Sequence, residues 1–146
     1  MEKELIRLVQ NTFQLIKGLD HSKYTYKSDG TVVTKADKIV ENYLVKEIKL
    51  LEKNACIIGE ENEFETETFL KERYWLIDPI DGTSSYSKGQ NDYTVNVALI
   101  EKGYPVFGII GHPPTQKIWY GFENKAFLLN KKKKYQLMPS PLIEKQ

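Results

Sequence analysis

The 146-residue sequence contains one cysteine and two histidines, and this scarcity excludes one class of site. Zinc in proteins is bound mainly by His and Cys, in sets of three or four ligands that this chain cannot supply. Cys56 lies between the apolar residues Ala55 and Ile57, which predicts a buried, reduced thiol rather than a reactive one. A zinc centre is therefore not expected.

A strong net charge and a long apolar run are also missing. The formal net charge is +1, which gives no reason to expect a nucleic-acid partner or a membrane surface. No stretch approaches the ~20 apolar residues of a membrane-spanning helix, and the charged N-terminus lacks the apolar region of a signal peptide. We therefore expect no nucleic-acid binding, no membrane span and a cytoplasmic location.

The chain does have enough apolar residues for a core, 40% of the total. In the first fifty residues they recur at helical spacing, which predicts a helix ending near Gly18, a polar hairpin-like segment, and a second helix beginning near Thr34. From Tyr93 onward, β-forming runs alternate with turn residues and predict an antiparallel meander of strands at 93–100, 106–111, 117–121, 126–129 and 135–138. The expected fold class is α+β, with two N-terminal helices packed on an antiparallel sheet.

Two features of the later half have simple structural explanations. The lysine run at 131–134 would suit nucleic acid or an anionic membrane, but it falls where the meander needs a turn, so a solvated hairpin tip is favoured. His112 precedes two prolines and is expected in a loop rather than at a metal.

The most informative segment, residues 75–83, runs from an apolar stretch directly into two carboxylates. The apolar stretch predicts a buried strand with Asp78 at its carboxyl end, and Pro79 would stop the ladder because it has no N–H to donate. Asp81 follows three residues after Asp78, and Gly82 would let the backbone approach a ligand closely. The two acids are thereby expected on a rigid rim.

A second acidic pair, Glu60 and Glu61, follows another apolar stretch at residues 55–58. Two strand ends would then deliver carboxylates to one point. Magnesium prefers octahedral oxygen coordination and commonly binds one or two carboxylates together with substrate phosphate. The residues therefore predict a magnesium and phosphate site.

Three segments in this order also carry a family resemblance: residues 27–37, Gly59-Glu60-Glu61, and Asp78-Pro79-Ile80-Asp81-Gly82-Thr83. Together they resemble the inositol monophosphatase superfamily of magnesium-dependent, lithium-sensitive phosphomonoesterases. A lone Asp-x-x-Asp would be weak evidence, whereas three motifs in matching order and spacing form a specific signature. The resemblance covers nearly the whole chain but about the first half of the family's usual length.

The resemblance implies four metal contacts. Glu60 would bind a first metal, Asp78 would bridge two metals, and Asp81 would bind the second. The backbone carbonyl of Ile80 would also contact a metal. Two cations about 4 Å apart can hold the attacking water and the leaving oxygen of an in-line phosphoryl displacement at once.

The resemblance also implies the residues that handle phosphate and water. Gly82 and Thr83 would meet the substrate phosphate with backbone N–H groups at the start of a short helix. Thr83 and Asp37 would orient and activate the attacking water, and Glu61 would place a second carboxylate near it.

Each of these residues has a structural alternative as well. The Asp-Pro and Asp-Gly pairs of the 78–83 motif are ordinary turn chemistry, and Glu60 and Glu61 would also suit a solvated loop. Asp37 stands three residues after Thr34, the pattern of a capping box, and that role can coexist with a catalytic one.

Within the superfamily, residues 73–78 and 93–100 look most like the bacterial 3'(2'),5'-bisphosphate nucleotidase branch, which converts adenosine 3',5'-bisphosphate, a by-product of sulfate assimilation, into AMP. Ser84-Ser85-Tyr86 departs from the Lys-Glu-Phe typical of that branch and from the Thr-Asn-Phe of the inositol branch. The expected function is a magnesium-dependent phosphomonoesterase of nucleotidase type. The alternatives are an inositol-1-phosphate or sugar phosphatase, and a non-catalytic fragment that retains part of the metal or phosphate site.

Family members continue into a second domain whose Trp-Asp motif completes the second metal site, and no matching segment follows here. We expect one domain at residues 1–138, a polar tail at 139–146, and no family C-terminal domain. Apolar sheet surface that the second domain would cover is then exposed, which favours self-association or a partner.

Overall fold

The computed structural model describes residues 1–61 and 71–139, so all but the first residue of the predicted tail lies outside the described residues. The elements in chain order are helix α1 (Glu2–Lys17), strands β1 (Tyr24–Tyr26) and β2 (Val32–Thr34), helix α2 (Lys35–Leu51), strands β3 (Ile57–Gly59) and β4 (Arg73–Asp81), helix α3 (Thr83–Ser87), and strands β5 (Thr94–Glu101), β6 (Tyr104–His112), β7 (Lys117–Phe122), β8 (Lys125–Asn130) and β9 (Lys133–Leu137). A 3-10 turn, Pro113–Thr115, joins β6 to β7.

Strands β3 to β9 form the main sheet in chain order, and β1 pairs with β2 in a separate hairpin. The α+β fold class is confirmed, but the prediction of a wholly antiparallel sheet was wrong at one edge. Strand β3 pairs with β4 in parallel, whereas the other neighbours are antiparallel. Residues 60–72 connect the two parallel strands, a length that matches the dozen or so residues such a crossover needs.

The core lies between the two long helices and one face of the sheet. Helix α1 packs on α2 and on β6, and α2 packs on β4, because both helices carry their apolar residues on one side. Alternate strand residues point to the same face, so every second side chain of the central strands meets the helices. The largest fully buried side chains of this core include Leu5, Val9, Val40, Leu44, Ile48, Trp75, Ile80, Val95, Leu99, Ile109 and Ile118.

Strand β4 continues through Pro79 to Asp81, so the prediction that the strand ends at Asp78 was wrong. The ladder between β4 and β5 is interrupted between Asp78 and Asp81, where the register shifts. Such a bulge tolerates the missing proline N–H, because the residues within it need no ladder partner. The strand therefore carries both acids, with an irregular stretch between them.

Two further predictions need correction. Cys56 is partly exposed rather than buried. His112 is the last residue of β6 rather than a loop residue, and its ring nitrogens lie 2.7 Å from Thr115 Oγ1 and 2.9 Å from the Asn91 carbonyl oxygen. The lysine run does form an exposed hairpin turn, from which Lys134 reaches back to Glu2 at 2.9 Å.

The sheet face opposite the helices carries a row of cross-strand partners that we call the open-face stripe: Asn96, Ile110, Trp119, Leu128 and Tyr135. Ile110 and Tyr135 are each 47% exposed. A groove of about 740 Å³ runs along this face from Asp78 and Asp81 to Leu137. In the described part of the chain, no helix is both long and apolar enough to cross a membrane.

Candidate active site

Parallel pairing of β3 with β4 brings two predicted metal ligands together. Gly59 lies opposite Ile77 in the ladder, and both strands run in the same direction. The residues that follow them, Glu60 and Asp78, therefore emerge next to each other at one edge of the sheet. This proximity explains why, after burial, the Glu60 carboxylate is the next largest cause of the raised pKa of Asp78.

The environment of Asp78 opposes negative charge. The pKa of Asp78 is raised to about 7, mainly by burial and then by the carboxylates of Glu60, Asp81 and Asp37. Its Oδ1 atom is buried and has no hydrogen-bond partner in the part of the chain that the structure describes. A buried carboxylate oxygen without a donor is costly, and a cation is the partner that suits it best.

Asp81 and Ile80 lie beyond Asp78 on the irregular end of β4. Asp81 is exposed, and the Nδ2 group of Asn96 on β5 donates a hydrogen bond to its Oδ2 at 3.3 Å. The Ile80 side chain is only 1% exposed, so the core fixes the position of its backbone carbonyl. That carbonyl accepts a hydrogen bond from the Thr83 hydroxyl at 2.8 Å.

Gly82 makes the turn from β4 into α3. Its φ of 91° lies in the left-handed region, and a Cβ there would come within 2.4 Å of the Asp92 carbonyl oxygen. Helix α3 begins at the next residue, as predicted. The first backbone N–H groups of a helix have no partner within the helix. This turn therefore exposes hydrogen-bond donors beside the sheet edge that carries Glu60 and Asp78, which we call the acidic edge.

Asp37 joins the start of α2 to the start of α3. Its Oδ2 accepts hydrogen bonds from the Thr34 backbone N–H at 2.7 Å and from the Thr34 hydroxyl at 2.6 Å, so the predicted capping box is confirmed. Its Oδ1 accepts a hydrogen bond from the Thr83 hydroxyl at 2.9 Å. Asp37 is fully buried, and one carboxylate oxygen serves the helix cap while the other contacts Thr83.

Glu61 is held from two sides. Its backbone N–H donates to Oε2 of Glu41 at 2.8 Å, and its side chain accepts a hydrogen bond from Lys27 Nζ at 2.6 Å. Glu41 is fully buried and lies directly beneath Gly59, where a Cβ would come within 2.4 Å of Glu41 Oε1. Burial raises the pKa of Glu61 overall, although Lys27 acts in the opposite direction.

Lys27 also lies 3.1 Å from Glu60 Oε1 and so bridges both glutamates. Burial opposes its charge, but the hydrogen bonds that Lys27 donates to Glu61 and Glu60 outweigh burial and raise the pKa of Lys27. The acidic edge thus contains an ammonium group of its own.

The donor atoms of this edge fit magnesium better than zinc or copper. They are carboxylate and carbonyl oxygens, and the orphaned Asp78 Oδ1 lies among them. Within residues 1–61 and 71–139, no three His, Cys, Asp or Glu side chains already stand close enough together to hold a metal ion. Magnesium tolerates this arrangement because it usually keeps several waters.

Three residues of the site were missed by sequence reasoning: Lys27, Glu41 and Asn96. Lys27 stands inside the 27–37 motif, and Glu41 stands four residues after Asp37 on α2, a spacing that puts both acids on one helix face. Both signals were therefore present in the sequence. Asn96 carries no comparable signal, because its contact depends on the strand register.

The chain belongs to the inositol monophosphatase family, whose model matches residues 2–146. Among curated proteins it is 32% identical over 132 residues to 3'(2'),5'-bisphosphate nucleotidase CysQ of Salmonella typhimurium, an alignment that covers 87% of this chain and 54% of the relative. It is 30% identical over 123 residues to Nus factor SuhB of Xylella fastidiosa, covering 84% of this chain and 42% of that one. The chain spans about half the length of the curated relatives it matches.

Solved structures confirm the fold. The IMPase of Thermotoga maritima superimposes with a TM-score of 0.75 and 26% identity, covering 87% of this chain and 50% of that one. An IMPase/NADP phosphatase, whose structure was solved with Mg²⁺ and phosphate, superimposes with a TM-score of 0.79 and 22% identity, covering 87% and 49%. The predicted family is confirmed by the family model, and these structures confirm its fold.

Proposed function

We propose that this chain is the metal-binding and phosphate-binding half of a magnesium-dependent phosphomonoesterase of the 3'(2'),5'-bisphosphate nucleotidase type, formed by a domain at residues 1–138. The observation that carries the proposal is the meeting of Glu60 and Asp78 at one sheet edge, beside the hydrogen bond from Thr83 to Asp37. Glu60, Asp78, Asp81 and the Ile80 carbonyl would hold magnesium. The substrate would be adenosine 3',5'-bisphosphate, with AMP and phosphate as products.

Two features support the nucleotidase branch over its relatives. Several curated relatives carry the nucleotidase name, at 30% identity or more. The residues 73–78 and 93–100 that resemble this branch form β4 and β5, the two strands that frame the candidate site.

Magnesium, when bound, supplies positive charge that neutralises the phosphate oxygens and the surrounding carboxylates. The chain's own residues position the water. Thr83 donates its hydroxyl hydrogen to the Asp37 carboxylate and can then accept a hydrogen bond from water through its oxygen lone pairs. Glu61 would hold a second carboxylate close to the same water.

The substrate phosphate would lie at the turn before α3. Gly82 has no side chain to obstruct an approaching phosphate oxygen, and the backbone N–H groups that follow it would donate to that oxygen. A water oxygen would attack phosphorus on the side opposite the ester oxygen, so that one P–O bond forms as the other breaks. The attacking water would give up one proton to solvent as its oxygen bonds to phosphorus, and the departing ester oxygen would take one proton from solvent, so no net proton is gained or lost.

Two alternatives have support of their own. The similarity to SuhB and to the Thermotoga IMPase, together with the divergent Ser84-Ser85-Tyr86, favours an inositol-1-phosphatase or sugar phosphatase. The second alternative is a non-catalytic fragment that retains part of the site, and it agrees with the finding that no three acidic or metal-binding side chains of the described residues already stand together.

Phosphate release by the purified chain separates these candidates. Adenosine 3',5'-bisphosphate and inositol 1-phosphate are tested with magnesium and with a chelator, beside Asp78→Asn. Magnesium-dependent release from the nucleotide, lost in the variant, is the expected result. Release from inositol 1-phosphate alone would favour the first alternative, and no release from either substrate by a folded chain would favour the fragment.

A further inference from the structure

We propose that Lys27 is a built-in counter-ion that competes with magnesium for Glu60 and Glu61, and that metal binding releases the β1–β2 hairpin from the end of β3. The proposal rests on the metal site proposed above. It assigns a function to a residue that the phosphatase mechanism leaves without one.

The contacts of Lys27 are those of a partly buried counter-ion, whose partner Glu61 is buried and whose partner Glu60 is exposed. Its Nζ atom lies 2.6 Å from Glu61 Oε1 and 3.1 Å from Glu60 Oε1. The Lys27 side chain is 24% exposed and that of Glu61 only 4%. An ion pair this shielded is screened less by salt than a surface pair, so it neutralises the glutamates effectively.

The charge balance of the site makes this contact competitive. Parallel pairing places Glu60 beside Asp78, and Lys27 is the cation that contacts Glu60 and Glu61 in the described part of the chain. A divalent ion bound to Glu60 would repel an ammonium group on the same carboxylate. The two cations therefore weaken each other's binding to Glu60, and under this proposal magnesium displaces Lys27.

Displacement would act on the hairpin, because Lys27 stands at its tip. The Lys27 backbone N–H donates to the Thr31 carbonyl at 2.8 Å, and its own carbonyl accepts from the Gly30 N–H at 2.9 Å, which closes the turn. The residues of β1 are all exposed, so little packing holds that strand against the body. Loss of the ion pairs is expected to free the tip.

A different role for Lys27 is a direct ligand of the substrate phosphate. A phosphate ligand would leave metal affinity unchanged when it is neutralised. A counter-ion that competes with the metal would leave a site of higher affinity behind. Metal binding without substrate therefore distinguishes the two roles.

The test is binding of Mn²⁺, a magnesium substitute whose free form gives a paramagnetic signal, to the full chain without substrate. Lys27→Met is expected to bind Mn²⁺ about tenfold more tightly than the unmodified chain, because a competing positive charge is gone. Lys27→Arg keeps the charge, so its Mn²⁺ affinity should stay within about twofold of that of the unmodified chain. Lys23→Met should do the same, because it removes a charge from the same segment at a residue that, among the described residues, pairs with exposed Asp20. Equal or weaker binding by Lys27→Met would overturn the proposal.

Amide hydrogen exchange gives a second readout at the hairpin. In the unmodified chain, Mn²⁺ should speed exchange at residues 24–34, whereas in Lys27→Met exchange there should be fast without metal and insensitive to it. Exchange that slows on metal binding would contradict the release. If Lys27→Met fails to fold, Lys27→Gln takes its place with the same expected values.

Asp78→Asn separates this proposal from the proposed function. If the unmodified chain binds no Mn²⁺ beyond what Asp78→Asn binds, the metal site and the Lys27 proposal both fail. If the unmodified chain binds Mn²⁺ and Asp78→Asn does not, but Lys27→Met binds no more tightly, then Lys27 alone loses its proposed role.

Discussion

Thr83 Oγ1 lies 2.9 Å from Oδ1 of Asp37, a residue 46 positions earlier in the chain. The contact joins the first turn of α3 to the first turn of α2. Thr83 Oγ1 also lies 2.8 Å from the Ile80 carbonyl oxygen, but a hydroxyl has one hydrogen and can serve one acceptor at a time. If a cation bound the Ile80 carbonyl oxygen, the Thr83 hydroxyl would donate its hydrogen bond to Asp37 alone.

Thr83→Ala tests this arrangement. The variant loses the hydroxyl that would position water, so we expect a drop of about 10²-fold to 10⁴-fold in turnover. Metal affinity should change by less than about twofold, because Thr83 supplies no predicted metal ligand. Steady-state phosphate release and Mn²⁺ titration measure the two effects.

Thr83→Ser is the matched control because it keeps the hydroxyl and its hydrogen bond to Asp37. It should retain most of the turnover. If Thr83→Ala were as active as the unmodified chain, Thr83 would have no part in positioning water.

The helices and the acidic motifs could be predicted from the sequence because both depend on local patterns. Apolar spacing identified α1 and α2, and the capping pattern of Thr34 and Asp37 identified where α2 begins. The parallel direction of β3 could not be predicted, because a three-residue strand carries no signal of its partner's orientation. The bulge at Pro79 depends equally on the neighbouring strand β5.

The acidic residues of the candidate site could be predicted from the sequence, but the lysine that pairs with them could not. Glu60, Asp78 and Asp81 stand in motifs that can be read along the chain. Lys27 reaches Glu60 from 33 positions away, across a hairpin whose placement follows from tertiary packing. Long-range ion pairs of this kind become visible only when the fold is known.

Gly59→Ala probes the support beneath the Glu60 and Glu61 turn. The added Cβ would lie 2.4 Å from Glu41 Oε1, and Glu41 is fully buried and bonded to the Glu61 N–H, so it cannot move away freely. We expect a loss of ~1–3 kcal/mol in the free energy of unfolding. Metal affinity should fall as well, because Glu60 and Glu61 would be displaced. Urea unfolding and Mn²⁺ titration are the measurements.

Gly108→Ala is the control for the same substitution in a strand. A Cβ at Gly108 would meet no atom within 4 Å, so its stability should match or slightly exceed that of the unmodified chain. Equal stability of the two variants would show that Gly59 is not required for close packing against Glu41.

The open-face stripe predicts self-association. No element within residues 1–61 and 71–139 covers this face, and exposed apolar side chains tend to pair with another apolar surface. Sedimentation should show a concentration-dependent increase in mass, and Ile110→Lys should reduce it by placing a charge in the middle of the stripe. Leu50→Lys is the control, because Leu50 is 72% exposed on α2, which covers the other face of the sheet. A chain that stays monomeric at every concentration would contradict this prediction.

Asp78→Asn should stabilise the metal-free chain in a pH-dependent way. Burial and neighbouring carboxylates raise the pKa of Asp78 from 3.8 to about 7, so the folded state holds a proton that the unfolded chain releases near pH 4. Stability is therefore lost as the pH rises from about 4 to about 7, and the full cost persists above pH 7. Asparagine never ionises, so the variant avoids this cost. Because the site is partly open to solvent, which screens the repulsion, we expect a gain of ~1–2 kcal/mol at pH 8 and almost none at pH 4.

Urea unfolding in a chelator at both pH values measures the difference. Asp29→Asn is the control, since hydrogen bonds to Thr31 lower the pKa of Asp29 and its removal should give no gain at pH 8. Adding magnesium should then reverse the ranking, because a ligand that binds the folded state stabilises the unmodified chain and not a variant that has lost a ligand. A gain for Asp78→Asn that is equal at both pH values would mean that charge repulsion is not its cause. Equal stabilisation of both chains by magnesium would remove Asp78 from the metal site.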